Sequence, residues 1–181
     1  ADDVILAKQI SGRLPLDPDD AVWQTALATT VRIYPQNTIR LPDKITESAT
    51  VTVRALYGAE ELALHLEWSD ASVENARGVG KFADAAAVQW PTQFGPGTRL
   101  PYIGMGNPGE PVTLWLWRAD GTAETLAAEG FGTLTVQASD GIQAKGAWKD
   151  GRWHVVFRRN LAAGGEYCVQ VDSSKQGLVP V

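Results

Sequence analysis

Apolar residues recur at every second position from residue 51 onward, in runs that glycine, proline or aspartate soon interrupt. A period of two marks strands with one buried face, and runs this short do not make amphipathic helices of ordinary length. In "VTVRALYGAEELALHLEWSD" (51–70), Val51, Val53 and Ala55 alternate with polar neighbours, "YGAEE" turns, and Leu62, Leu64, Leu66 and Trp68 share one face. "AAAVQWP" is a short apolar run stopped by Pro91. "VTLWLWRADG" puts Val112, Leu114 and Leu116 on one face and Thr113, Trp115 and Trp117 on the other. "GTLTVQASDG" and "GEYCVQVD" read as further strands, and "IQAKGAWKDGRWHVVFRRNL" as a hairpin closed by the tight-turn signal "KDG". The helical candidates are short: "DPDDAVWQTA", with an aspartate as N-cap, and "GTAETLAAEG". The expected fold is all-β, an antiparallel β-sandwich with long loops and short helical segments, built as one domain over residues 1–181. Residues 69–83 and 91–111 are long loops on that scaffold, where binding sites concentrate.

Composition removes several function classes. The chain is 44% hydrophobic and 20% charged, with a net charge of −5, which gives no electrostatic reason to expect nucleic acid or an anionic membrane as a partner. No apolar run approaches the ~18 residues of a spanning helix. One cysteine, Cys168, excludes an internal disulfide framework and a cysteine-ligated metal centre. It reads either as a small buried residue or, if exposed in an oxidising compartment, as the link of a disulfide-bonded homodimer. The start "ADDVILAKQ" has the form left by signal-peptide cleavage after a small residue, so an exported, periplasmic location is expected; trimming at that point would look the same.

The usual catalytic patterns are missing: no G-x-S-x-G, no P-loop and no H-E-x-x-H occurs. His65 and His154 alternate with apolar neighbours and read as exposed strand residues rather than ligands. The carboxylates of "LDPDD" and "WSDAS" read as turn and cap chemistry.

Met105, the only methionine, is the anomaly. It sits between two glycines in "PYIGMGNPGEP", where no helix or regular strand would pack it. A thioether is a soft, neutral ligand that favours ferrous heme iron and raises its potential. Heme also needs an apolar slot, and Trp90, Tyr102, Trp115 and Trp117 lie on or beside the loop as candidate walls. The alternative is that Met105 fills a hole and the tryptophans fill a sandwich core.

The ordered set "DDAVWQTA", "VRALYGAEELALHLEWSDAS", "KFADAAAVQWP", "PYIGMGNPGEPVTLWLW" and "GAWKDGRWHVVFRRNL" resembles the ethylbenzene-dehydrogenase-type heme-b domain over nearly the whole chain. That domain is the γ subunit of periplasmic molybdenum enzymes of the DMSO reductase family, which include ethylbenzene dehydrogenase, dimethylsulfide dehydrogenase, selenate reductase and chlorate reductase. The resemblance implies a β-sandwich related to carbohydrate-binding module family 9. It also implies one b-type heme, a cytochrome b centre whose iron is held by a methionine, here Met105, and a lysine. It implies a non-catalytic subunit that relays electrons between a soluble periplasmic cytochrome and the iron–sulfur β subunit of the enzyme, with a molybdenum α subunit beyond. An oxyanion reductase, chlorate or selenate, is the expected parent. The competing reading is a carbohydrate-binding sandwich without heme, which would also use tryptophans.

The lysine of the family is expected on a segment following a strand that would begin at "LVPV", where this sequence stops. The chain is therefore expected to lack its C-terminal segment and its second axial ligand, and to lose heme as a result. Lys145, Lys149, Lys175 and His154 are the alternatives within the chain. An exposed strand edge, like an exposed Cys168, would favour a homodimer.

Overall fold

Two sheets face each other in the computed structural model, which describes residues 4–35, 49–76, 78–79, 82–138, 141–164, 167–172 and 179–181. In chain order the elements are β1 (Ala7–Gln9), a 3-10 helix (Ala21–Thr25), β2 (Thr29–Ile33), β3 (Ala49–Tyr57), β4 (Glu61–Ser69), β5 (Ala85–Pro91), β6 (Val112–Arg118), β7 (Ala123–Ala128), β8 (Thr135–Val136), β9 (Gln143–Lys149) and β10 (Arg152–Asn160). A six-stranded sheet runs β1-β3-β4-β10-β9, with β2 also on β3; a four-stranded sheet runs β5-β6-β7-β8. Every pairing is antiparallel except β1 on β3, a short parallel addition to the expected antiparallel sandwich.

The alternation in the sequence becomes the sandwich interior. Val51, Val53 and Ala55 of β3, Leu64 and Leu66 of β4, and Trp153, Val155 and Phe157 of β10 meet Val88, Trp90, Trp115 and Trp117 across the gap. Five of the seven tryptophans serve this core. Trp90 and Trp115 lie 4.7 Å apart between ring centroids and Trp117 and Trp153 lie 4.9 Å apart, while Trp68 packs on both members of the second pair. Gly146 of β9 is the counterpart of that bulk. A Cβ there would stand 2.1 Å from the Trp117 ring, so only glycine lets the indole lie against the strand.

A second core lies on the outer face of the six-stranded sheet. The chain from Ile10 to Ala26 crosses that face, and Leu14, Trp23 and Ala26 bury Leu56, Ala63 and Val156 beneath it. Asp20 caps the short helix by accepting the Val22 N–H at 2.9 Å, as its position before the run predicts. Arg158 ties the strap down, donating to Leu14 O at 2.6 Å.

Three expectations are corrected, and of the two readings of Cys168 the buried one holds. "GTAETLAAEG" forms β7, not a helix, because Leu126, Ala127 and Ala128 pair with β6 and become buried; tertiary pairing overrides the helical preference of Ala, Glu and Leu. "GEYCVQVD" forms no strand in its described part. Residues 167–172 are held instead by single bonds: Thr113 Oγ1 and Arg159 donate to the carbonyls of Tyr167 and Val169, and Val171 N–H donates to Leu161 O. His65 is buried rather than exposed, because Trp23 of the strap lies over it at 5.3 Å. Cys168 is also buried, which removes the exposed thiol that a disulfide-linked homodimer requires. Among the described residues no helix is long and apolar enough to cross a membrane.

Candidate functional site

The loop between β5 and β6 folds back over the outer face of the four-stranded sheet. Val88 and Trp90 of β5 point into the core, so Gln89 between them faces outward, opposite Leu114 in the register. Its side-chain amide meets the loop twice. Nε2 donates to Ile103 O at 3.1 Å, and Oε1 accepts the Met105 N–H at 3.2 Å. From the other side, the Gly130 N–H donates to Met105 O at 2.8 Å. The loop also closes on itself. Gly106 N–H donates to Tyr102 O at 2.8 Å, Asn107 Oδ1 accepts the Tyr102 N–H at 2.9 Å, and the Asn107 amide donates to Glu110, which pairs with Arg99 at 3.3 Å.

These bonds hold Met105 at φ 68, in the left-handed region. Among the described residues one other non-glycine has a positive φ, Asp150 at 50. Asp150 and Gly151 (φ 76) form the two-residue turn between β9 and β10, where such angles are required and aspartate tolerates them. No such turn chemistry recommends a methionine. Strain of this kind, about 1–2 kcal/mol for an L-residue, persists where the surroundings over-determine it, and it clusters at functional sites. Gly106 permits the fold of the loop: a Cβ there would meet Glu110 O at 2.8 Å and Ala128 O at 3.2 Å.

Around Met105 the surface is apolar. The rings of Tyr102 and Phe131 flank Gly104, closely enough that a Cβ on that glycine would reach both. Tyr102, Ile103, Phe131, Leu134 and Val136 are exposed, Ile103 at 85%. Half-buried Leu114 and Leu116 continue the apolar surface along β6. An exposed apolar patch beside a strained residue makes this loop the candidate site.

Of the residues the sequence singled out, the structure brings Tyr102 to Met105 and separates the three tryptophans from it. Trp90, Trp115 and Trp117 face the sandwich interior, exposed by 3%, 0% and 3%, while the clamp on Met105 is made on the opposite face. Alternation predicts that they share a face with one another, but not that this face is the core. The candidates for a second ligand also lie elsewhere. Lys145 pairs with Asp17 at 3.5 Å on the six-stranded sheet, Lys149 lies on the same strand, and His154 faces Glu67 beside His65. Lys175 lies outside the described residues. Among the described residues no cluster of three His, Cys, Asp or Glu could hold a metal. Sequence reasoning did not identify Gln89; its trace is a lone amide in the small-residue strand "AAAVQWP". A groove of about 580 Å³ lined by Ile10, Arg13, Glu60, Glu61 and Asn160 shares no residue with the loop.

A heme can be tested against this arrangement. It asks for a donor fixed in direction and an apolar surface for its faces. Met105 would supply a soft thioether from a backbone pinned at both its N–H and its C=O, and the nearby aliphatic and aromatic side chains would supply the surface. The residues fit the group on the methionine side.

Fold and loop define the class: a two-sheet β-sandwich that offers one thioether donor from a clamped loop. The chain belongs to the ethylbenzene dehydrogenase family, whose model matches residues 20–141. It is 36% identical over 155 residues to a Haloferax mediterranei protein named as a respiratory nitrate reductase heme subunit, covering 84% of this chain and 54% of that protein. It is 29% identical over 167 residues to the chlorate reductase subunit gamma of Ideonella dechloratans, covering 90% of this chain and 68% of that one. The chain thus spans about half the length of the first relative and about two thirds of the second. Among solved structures, a family 9 carbohydrate-binding module from Caldicellulosiruptor kristjanssonii, in complex with cellotriose, superposes with a TM-score of 0.52 at 13% identity, over 94% of this chain and 79% of that one. At that identity the likeness confirms the sandwich and nothing further.

Proposed function

We propose that this chain is the heme-carrying, non-catalytic electron-transfer part of a respiratory reductase complex. The carrying observation is Met105, held in a strained backbone conformation by bonds from two elements, in a member of a family whose relatives are named as heme and gamma subunits of reductases. Bound there, heme iron supplies a one-electron couple. The chain would supply a thioether from Met105 and an apolar surface from Tyr102, Ile103, Leu114, Leu116 and Phe131. A neutral thioether favours the ferrous state and so a relatively high potential. The finer reading is a b-type heme in a periplasmic subunit that passes electrons between a soluble cytochrome and the iron–sulfur subunit of a molybdenum enzyme acting on an oxyanion such as chlorate or selenate. Nitrate and chlorate, in the names of the relatives, are oxyanions. The carbohydrate reading gains nothing from the tryptophans, since six of the seven are packed in the two cores or against them.

Absorption spectra of the intact native subunit test this. A Soret band that sharpens with α and β bands on reduction is expected. Met105→Ala should weaken heme retention and lower the reduction potential. A colourless intact protein, or a Met105→Ala form with unchanged spectrum and potential, would overturn the assignment.

A further inference from the structure

We infer that Gln89 is a positioning residue for the methionine ligand; the inference rests on the heme reading above and extends it to a residue on a different element. The geometry is specific. One primary amide accepts from the N–H of residue 105 and donates to the C=O of residue 103, the pair of groups that one residue of a parallel neighbouring strand would engage. Gln89 therefore stands in for one residue of a strand beside the loop, projecting from β5. Together with the Gly130 N–H on Met105 O, it satisfies both backbone groups of Met105, which holds φ 68 in the turn closed by Gly106 N–H on Tyr102 O. β5 is firmly placed by its register with β6 and by Val88 and Trp90 in the core, so the loop inherits a rigid reference. Leucine at this position would keep the volume and lose both bonds; glutamate would keep the acceptor and lose the donor.

The test compares wild type, Gln89→Leu, Gln89→Glu and Met105→Ala as full chains, with two readouts. The first needs no heme: amide hydrogen exchange at Met105. It should accelerate about tenfold in Gln89→Leu, the loss of two ordinary hydrogen bonds, and less in Gln89→Glu. The second is titration with hemin and measurement of the reduction potential of the product. Gln89→Leu should bind hemin more weakly and shift the potential in the direction of Met105→Ala, with Gln89→Glu between it and wild type. Unchanged exchange at Met105 in both glutamine variants overturns the inference, whatever the heme does. If Met105→Ala loses hemin while both glutamine variants match wild type, the positioning role fails and the ligand assignment stands. If Met105→Ala binds hemin as wild type does, the ligand assignment fails instead. Should Gln89→Leu not fold, Gln89→Glu alone decides by the same two readouts.

Discussion

The sandwich has two outer faces, and they are finished in opposite ways. On the six-stranded sheet a strap from Ile10 to Ala26 covers the face: Leu14 and Trp23 are each 1% exposed, and Glu67 beside it is paired across strands. Glu67 takes a hydrogen bond from Arg152 at 2.6 Å and lies 3.6 Å from Arg54. Burial alone would raise the Glu67 carboxyl; the bond from Arg152 and the charges of His154, Arg152 and Arg54 bring it below its ordinary value. On the four-stranded sheet a loop crosses the face without sealing it. Its backbone is strained, its aromatic and aliphatic side chains remain exposed, and side-chain amides tie it down. The first arrangement serves stability. The second holds one sulfur-bearing residue in a strained conformation, the arrangement on which the proposed heme site rests.

The largest break in this contrast comes from the strap. Trp23→Ala should destabilise the chain by about 3–5 kcal/mol, the usual loss for a fully buried tryptophan. Urea unfolding measures it, and a loss below about 1 kcal/mol would mean that the strap is an ornament rather than a second core. Next comes acid. Burial, then the charges of His154 and Arg54, lower the pKa of His65 from 6.5 to about 4. The unfolded chain therefore takes up a proton between those values that the folded chain refuses. Stability is complete above pH 6.5, falls as the pH drops toward 4 and levels off below it for this group, a total of about 3 kcal/mol. Glu67, held below its ordinary value, adds a further loss at lower pH. His65→Gln should flatten the slope between pH 6.5 and 4; a variant with the wild-type slope would assign the acid sensitivity elsewhere. The smallest effect sharpens the other face. Met105→Gly should raise stability by up to about 1 kcal/mol, because glycine relieves the left-handed strain at some entropic cost. A loss of more than about 1 kcal/mol would show that the thioether packs structurally and that the strain carries no functional meaning.

Much of this was legible in the sequence, for identifiable reasons. The β3–β4 and β9–β10 hairpins follow from strict alternation and an Asp-Gly turn, both local signals. The methionine loop stood out in the sequence because an only methionine between two glycines suits neither a helix nor a regular strand. What escaped depends on long-range cover. His65 was expected at the surface because its strand neighbours cannot reveal a strap that arrives from residues 10–26. Trp90, Trp115 and Trp117 were placed as heme walls because alternation groups residues by face and does not say which face turns inward. β7 reads locally as a helix and becomes a strand only because β6 lies beside it. Gln89 needed the register: until Leu114 is known to lie opposite, nothing in "AAAVQWP" says that the glutamine faces the loop.

Of the two sulfur atoms in the sequence, one belongs to Cys168, which is buried, and the other to Met105. Oxidation of a methionine converts a soft thioether into a polar, chiral sulfoxide. Of these two residues half-buried Met105, in the strained loop, is the more open to oxidants. A mass increment in the peptide that contains residue 105 would report on that loop alone, and a bound iron that engages the sulfur would protect it.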